Sequence, residues 1–207
     1  MIKESICKNK VNVVGTISSE PKLAHSFEYA DVYEFMVNIP RRSGVNDEIP
    51  VWITKDTLDR MCDITVGNEY EIIGEYRSYN ELGTGRLILV LFAKEIRDEF
   101  NFLYNNNNVT IEGYIVKALE PRKTPLGKET IVDIIVAVNR FAGKSSYLPC
   151  IIWNPDEELI ESLSVGKKVH INGRLQSRKY LKVYEDETSE YKTAYEISVF
   201  NIYPMDE

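Results

Sequence analysis

The chain contains an internal repeat of about 99 residues, and this duplication limits the folds it can adopt. Residues 41–78 align with residues 140–177 at a constant offset, pairing Arg41 with Arg140 and Gly74 with Gly173. Residues 9–15 resemble residues 107–113 in the same way. A repeat this long is a duplicated domain rather than a solenoid unit. We predict two similar domains, residues 1–103 and 104–207, with the asparagine-rich segment at 105–108 forming a turn or short linker.

Each half predicts five strands, with a short helix between the third and fourth. Apolar residues alternate with polar ones, as in Phe35, Val37 and Ile39, which is typical of strands with one buried face. Gly74 and Gly173, each within a long fourth strand, predict bends that let a small barrel close. Two closed all-β barrels are therefore favoured over a sandwich. The strands are predicted near residues 11–17, 33–40, 49–54, 69–79 and 87–96, and near 109–116, 130–139, 147–153, 168–180 and 194–203.

The helix of the second half has the clearer signals. Asn154 predicts its N-cap, Pro155 suits the first helical position, and Glu157 would complete a capping box. Three apolar side chains would then face the open end of the barrel: Leu159, Ile160 and Leu163.

Residues 147–180 predict strands with two chemically different faces, because residues two apart in a strand share a face. The aliphatic face suits a core and consists of Leu148, Cys150, Ile152, Val169, Ile171 and Leu175. The opposite face interleaves rings with guanidinium groups: Tyr147, Trp153, Arg174, Arg178 and Tyr180. Aromatic rings stack on bases, and basic side chains neutralise the phosphates between them. This face predicts either a single-stranded nucleic-acid surface or a protein–protein surface, where the same residue types are also enriched.

Four motifs of the second half occur in the order and spacing of the bacterial single-stranded DNA-binding protein family. They lie at residues 136–140, 147–153, 165–169 and 173–180. The chain thus resembles that family over about ninety residues. The resemblance implies an OB-fold, a five-stranded and partly open barrel. Together with the repeat, it predicts two OB-folds in tandem. It also implies that Tyr147, Trp153 and Tyr180 stack on bases, together with Phe141.

Basic side chains of the second half would supply the phosphate contacts. They are Arg122, Lys123, Lys128, Arg140, Lys144, Arg174, Arg178, Lys179 and Lys182. In the first half, the alternation predicts outward-pointing side chains that correspond to this surface: Trp52, Arg77 and Tyr79. However, Glu48 and Glu81 stand at the positions of two predicted stacking rings. The first half is therefore predicted either to bind DNA weakly or to serve a structural role in contact between the domains.

The overall charge does not favour a polyanion as ligand. The formal net charge is −7, with 12 Lys and Arg against 17 Asp and Glu in residues 1–103, and 13 against 15 in residues 104–207. Nucleic-acid binders are usually basic. Binding would therefore depend on the local basic residues of the second half.

The sequence gives no sign of a metal site, cofactor or catalytic centre. Three widely spaced cysteines without a CxxC motif, and only His25 and His170, argue against structural zinc. Neither histidine has a catalytic partner at motif spacing, and no Walker or GxGxxG motif is present. We expect a binding protein rather than an enzyme. The cysteine usage and the lack of an apolar leader predict a cytoplasmic location.

The predicted function is single-stranded DNA binding without sequence preference, in replication, recombination or repair. The alternative is an interaction module, similar to primosomal protein N, that scaffolds a replication or plasmid-transfer complex. The resemblance implies assemblies of four OB-folds, and hence a homodimer of this chain that works with replication proteins. The family's acidic C-terminal tip has no counterpart after residue 203, so we do not expect partner recruitment through one.

Overall fold

A computed structural model of the protein describes residues 9–27, 30–61, 63–81, 83–98, 100, 106–118, 120–124, 127–140, 143–184 and 187–205. These residues form an all-β molecule with twelve strands and two short helices. The strands belong to one hydrogen-bonded network that curls into two barrels, one from each half of the chain.

The first barrel contains six strands and one helix. Its elements are β1 (Asn9–Ile17), β2 (Lys22–Phe27), β3 (Ala30–Pro40), β4 (Asn46–Thr54), α1 (Lys55–Leu58), β5 (Glu69–Asn80) and β6 (Leu87–Arg97). Antiparallel pairings join β1 to β3 and β5, β3 to β4, and β5 to β6. Parallel pairing of β4 with β6 closes the barrel.

The second barrel repeats this arrangement. Its elements are β7 (Asn107–Ala118), β8 (Arg122–Lys123), β9 (Thr130–Asn139), β10 (Ser145–Trp153), α2 (Glu157–Ser162), β11 (Lys168–Val183) and β12 (Ser189–Met205). The parallel pairing of β10 with β12 closes this barrel. The five principal strands and the helix between the third and fourth of them are those of the OB-fold, which confirms the predicted fold class.

The first strands of the two barrels join the halves into one body. β1 pairs antiparallel with β7, and Val11 lies opposite Val109 at the centre of the pairing. The side chains of Asn9 and Asn107 each exchange two hydrogen bonds with the backbone of the fourth strand of their own barrel, at Tyr76 and Leu175 respectively. The junction is therefore pseudo-symmetric, with equivalent residues on either side of Val11 and Val109.

The barrel interiors follow the predicted alternation. Leu148, Val169, Ile171 and Leu175 are fully buried, and Cys150 and Ile152 lie with them. Burying an aliphatic side chain of this size contributes about 1.5–3 kcal/mol to folding. Burial also raises the pKa of the Cys150 thiol, so that thiol is kept neutral in the core.

The two predicted bends are β-bulges. The register shifts between Ile73 and Gly74 in β5 and between Asn172 and Gly173 in β11. A Cβ atom would lie 2.2 Å from a backbone oxygen at Gly74 and 2.5 Å from one at Gly173. Only glycine permits this close approach, which explains its place in both fourth strands.

The second helix begins two residues later than the sequence predicts. Its N-cap is Asp156, whose Oδ1 accepts a hydrogen bond of 2.7 Å from the Leu159 N–H. Asn154 instead adopts a left-handed backbone with φ of 47° and exchanges hydrogen bonds with Thr130 at the start of β9. The predicted capping box is therefore wrong. The apolar contacts are confirmed, since Leu159, Ile160 and Leu163 all pack against the core.

Two strands, β2 and β8, were not predicted. β2 pairs with β3, and β8 pairs with β9. Both strands are rich in polar residues and have no buried face with alternating apolar residues, so the sequence showed no strand pattern. Some predicted features lie outside the described residues, namely Phe141, Cys7, Cys62 and Asn105. The predicted turn or linker at 105–108 is wrong for Asn107 and Asn108, because both begin β7 and pair with β1.

Candidate nucleic-acid interface

The predicted stacking rings of the second barrel are exposed. Trp153 and Tyr180 are each 37% exposed, and Tyr147 is 49% exposed. Tyr147 and Trp153 lie at the two ends of β10, and Tyr180 lies on β11 where it extends beyond the barrel. Such accessible rings can stack on unpaired bases.

Trp153 and Tyr180 share one outer face. The Trp153 Nε1–H donates a 3.2 Å hydrogen bond to Ser198 Oγ on β12. Ser198 lies opposite Arg174, and Lys192 lies opposite Tyr180. Because Arg174 and Tyr180 have the same parity along β11, they and their cross-strand partners point to the same side of the sheet.

Some of the predicted basic side chains border this face. The Arg178 guanidinium lies 5.7 Å from the centre of the Tyr180 ring. Arg122 on β8 donates a 2.8 Å hydrogen bond to Asp133 on β9, and Lys123 donates one of 2.7 Å to Thr130. Lys179, by contrast, has the opposite parity to Tyr180 and lies on the other side of the hairpin.

A buried carboxyl group lies in the middle of the same face. Glu196 on β12 is only 7% exposed, accepts a 3.0 Å hydrogen bond from Gln176 Nε2 and lies 3.8 Å from Arg178 Nε. Burial raises the pKa of Glu196, and Asp133 adds to the rise, whereas Arg178, Gln176 and Arg122 oppose it. Sequence reasoning missed this residue, although its even parity with Ser198 indicates an outward position.

Arg174 and Arg41 meet at the junction of the two barrels. Both contact Asp47, whose side chain is fully buried. Arg41 Nε donates to Asp47 at 2.7 Å, and Arg174 Nη1 donates at 3.2 Å. The hydrogen bond with Asp47 raises the pKa of Arg41, whereas burial and the Arg41 charge lower that of Arg174. Arg174 thus has a structural partner that the sequence did not indicate.

The equivalent place on the opposite side of the junction has different chemistry. There Arg140 replaces Arg41, and its guanidinium lies 4.9 Å from the centre of the Tyr79 ring of the first barrel. Ser146 stands at the position of Asp47, and the Tyr147 N–H donates a 2.7 Å hydrogen bond to Ser78. The structure therefore brings Arg140, Tyr79 and Tyr147 together across the two halves.

The outer face of the first barrel is covered. Trp52 is 3% exposed and packs with Val32 and Val90 in a small apolar cluster. Its ring contacts His25 of the unpredicted strand β2 at 4.6 Å and Tyr79 at 4.9 Å between centroids. Trp52 has the predicted outward parity, but β2 and its neighbours bury it.

Polar and charged groups complete this covering. Trp52 Nε1 donates a 2.6 Å hydrogen bond to Glu34. Arg77 stacks 3.8 Å above the Phe92 ring and forms an ion pair of 2.8 Å with Glu75. Both predicted binding residues thus have partners within the first barrel itself.

No group of three or more His, Cys, Asp or Glu side chains within the described ranges could hold a metal ion. None of the helices described here has the length and apolar character needed to cross a membrane.

The fold and the exposed face define a class of protein. Two OB barrels, one with rings and guanidinium groups on its outer face, form an OB-fold protein of the type that binds single strands. Consistently, residues 106–205 match the model of the Single-strand binding protein family. This match confirms the resemblance seen in the motifs of the second half. No curated protein sequence matches the chain.

Two solved structures that cover nearly the whole chain show the same fold. The wild-type single-stranded DNA binding protein from Thermus aquaticus is 18% identical, with a TM-score of 0.69 and coverage of 96% of this chain and 93% of that one. A deletion variant of the same protein has a TM-score of 0.68 at 18% identity, with coverage of 96% and 95%. The N-terminal domain of PriB protein from Thermoanaerobacter tencongensis is 29% identical over 43% of this chain and 93% of that one, with a TM-score of 0.38.

Proposed function

We propose that this protein binds single-stranded DNA without sequence preference, in replication, recombination or repair. The observation that supports this most directly is the outer face of the second barrel, where Trp153 and Tyr180 are exposed on one side of the sheet beside Arg178. Every base has a π-face, so stacking on rings tolerates any sequence. The protein acts by binding alone and catalyses no reaction.

Stacking and phosphate contacts together account for binding by an acidic protein. Each stacked base contributes about 1–3 kcal/mol. The two carboxylates near the face, Asp133 and Glu196, are each close to an arginine, so their charge is partly compensated locally. The net charge of the whole chain therefore opposes association less than its value of −7 suggests.

The two halves have different roles in this proposal. Residues 104–207 form the principal DNA-binding domain, and residues 1–103 form a related domain whose outer face is covered. The burial of Trp52 supports this division. The first domain contributes mainly at the junction, where Tyr79 lies beside Arg140.

A homodimer with four OB barrels is the proposed assembly, located in the cytoplasm and acting with replication proteins. Exposed apolar side chains on the sheet shared by the barrels, including Tyr114 and Tyr203, support a contact between two copies. Sedimentation of the purified protein at the mass of a single 23.9 kDa chain would exclude the homodimer.

Salt dependence tests the proposed function. We expect the affinity for oligo-dT to fall linearly in log–log form as salt rises, with a slope of about −0.7 for each phosphate neutralised. Fluorescence anisotropy of a labelled oligonucleotide measures this, and mixed-sequence single strands of the same length should bind similarly. A duplex of equal length is the control and should bind more weakly. The absence of binding even at low salt would refute the proposal.

Glu196 predicts a pH dependence of binding. We expect Glu196→Gln to bind oligo-dT about five-fold more tightly than wild type at pH 8, because a like charge about 4 Å from a phosphate costs about 1 kcal/mol in water. Wild-type affinity should rise as the pH falls towards the raised pKa of Glu196, since burial makes this carboxyl group take up a proton at a higher pH than an ordinary glutamate does. The variant lacks this proton uptake.

A variant with the same change of charge elsewhere provides the control. Glu158→Gln on the exposed side of α2 removes one negative charge away from the face and should keep the wild-type pH profile. Identical profiles for wild type and Glu196→Gln would show that Glu196 does not influence binding.

A further inference from the structure

A cavity of about 550 Å³ lies at the barrel junction and was not predicted from the sequence. Its wall includes Phe200 from β12 and Arg42 from the loop after β3. It also includes Arg41, Arg174 and the buried Asp47. The cavity has the size of a small-molecule site and combines one aromatic ring with three guanidinium groups.

Phe200 points outward from β12 at the bulge in the sheet. Gly173 lies opposite Val199 and Asn172 lies opposite Asn201, so Phe200 is the extra residue of β12. Val199 and Ile202 on either side belong to the core, whereas Phe200 is 51% exposed. β12 therefore presents a large ring to solvent on the same cavity wall as Arg174.

The charge of the cavity favours an anion. Asp47 is the sole acidic side chain of the described wall, and it is held by both Arg41 and Arg174. Arg42 is exposed and adds a third positive charge at the rim. One carboxylate among three guanidinium groups leaves a positive balance for a phosphate.

The first barrel has no equivalent ring. Its matching bulge places Gly74 opposite Ala93 and Ile73 opposite Glu95, so the extra residue is Lys94. Lys94 forms an ion pair with Glu75, which stands where the second barrel has Arg174. A salt bridge thus occupies the place that Phe200 and the cavity occupy in the second barrel.

The cavity continues the stacking face of the second barrel. Ser198, which holds the Trp153 indole, lies two residues before Phe200 on β12 and opposite Arg174 on β11. Two strand residues span about 6.6 Å. A DNA strand stacked on Trp153 can therefore reach Phe200 along the outer surface of β12.

We propose that this cavity is a further nucleotide subsite for single-stranded DNA. The Phe200 ring stacks on a base, and Arg42 and Arg174 contact its phosphates. The inference rests on the proposed function and extends the binding path from the second barrel to the loop after β3 of the first.

Substitution of Phe200 tests the subsite. Phe200→Ala should weaken binding of long oligo-dT by about 5-fold to 150-fold, the equivalent of one stacked base. Phe200→Tyr keeps a ring and should bind like wild type. The matched control is Tyr191→Ala, which removes an exposed ring from the same strand but outside the cavity. Arg42→Gln should reduce the salt slope by about 0.7.

The outcomes separate the subsite from the overall function. If wild-type protein binds oligo-dT but Phe200→Ala weakens binding no more than Tyr191→Ala does, the subsite is refuted and the proposed function stands. If wild-type protein does not bind oligo-dT, both are refuted. Phe200→Ala is not expected to perturb folding because the ring is exposed, and thermal unfolding of both variants verifies this.

Discussion

Replacing both Trp153 and Tyr180 with alanine is expected to weaken binding of oligo-dT by between about 30-fold and about 25,000-fold. Each ring stacks on one base, and each stacked base contributes about 1–3 kcal/mol. Both rings are exposed on the same side of the second barrel, so one strand can contact them together. Fluorescence anisotropy with a labelled oligonucleotide measures the loss.

The control for this double variant is a ring on the other side of the same hairpin. Tyr191 is 78% exposed, and its partner Leu181 has the opposite parity to Tyr180. Tyr191→Ala should therefore bind oligo-dT almost as tightly as wild type. If the double variant binds oligo-dT as tightly as wild type, the stacking mechanism is refuted.

The other tryptophan should behave in the opposite way. Trp52→Ala is expected to lower the free energy of unfolding by about 3–5 kcal/mol, the usual cost of truncating a large buried aromatic side chain. Trp52 is 3% exposed, packs between His25 and Tyr79, and donates a hydrogen bond to Glu34. Urea denaturation followed by circular dichroism measures the change.

A milder substitution separates stability from binding. Trp52→Phe keeps an apolar ring in the cluster and should remain folded while binding oligo-dT as wild type does. A large loss of affinity in folded Trp52→Phe would show that this side chain contacts DNA directly. Unchanged stability of Trp52→Ala would show that the cluster around it contributes little.

The alternation of the sequence was sufficient to predict the barrels. Period-two patterns identify which side chains are buried, and the glycines of the fourth strands identify the bulges, because both depend on local geometry. The pattern also predicted that Trp153 and Tyr180 would lie on the outer surface. The bulge at Phe200 also left a weak signal in the sequence, since the buried residues Ile197, Val199 and Ile202 are spaced by two and then by three positions.

Contacts between distant segments could not be predicted from the pattern. Outward parity placed Trp52 on the surface of its barrel, but β2, a polar strand without alternation, covers it. Arg174 had the parity of a DNA contact, but Asp47, 127 residues away, holds it at the junction. Parity gives the direction of a side chain, whereas its burial depends on what the rest of the fold brings next to it.

The pairing of β1 with β7 affects the direction in which a DNA strand can run across the protein. Two identical subunits related by a two-fold axis would present the same chemistry at both ends of their contact, and a nucleic acid could enter from either. Here the two ends differ, with Asp47 and Phe200 at one and Ser146 and Lys94 at the other. Fusing the copies into one polypeptide thus gives each chain a defined polarity, as 5′-to-3′ direction does for its ligand.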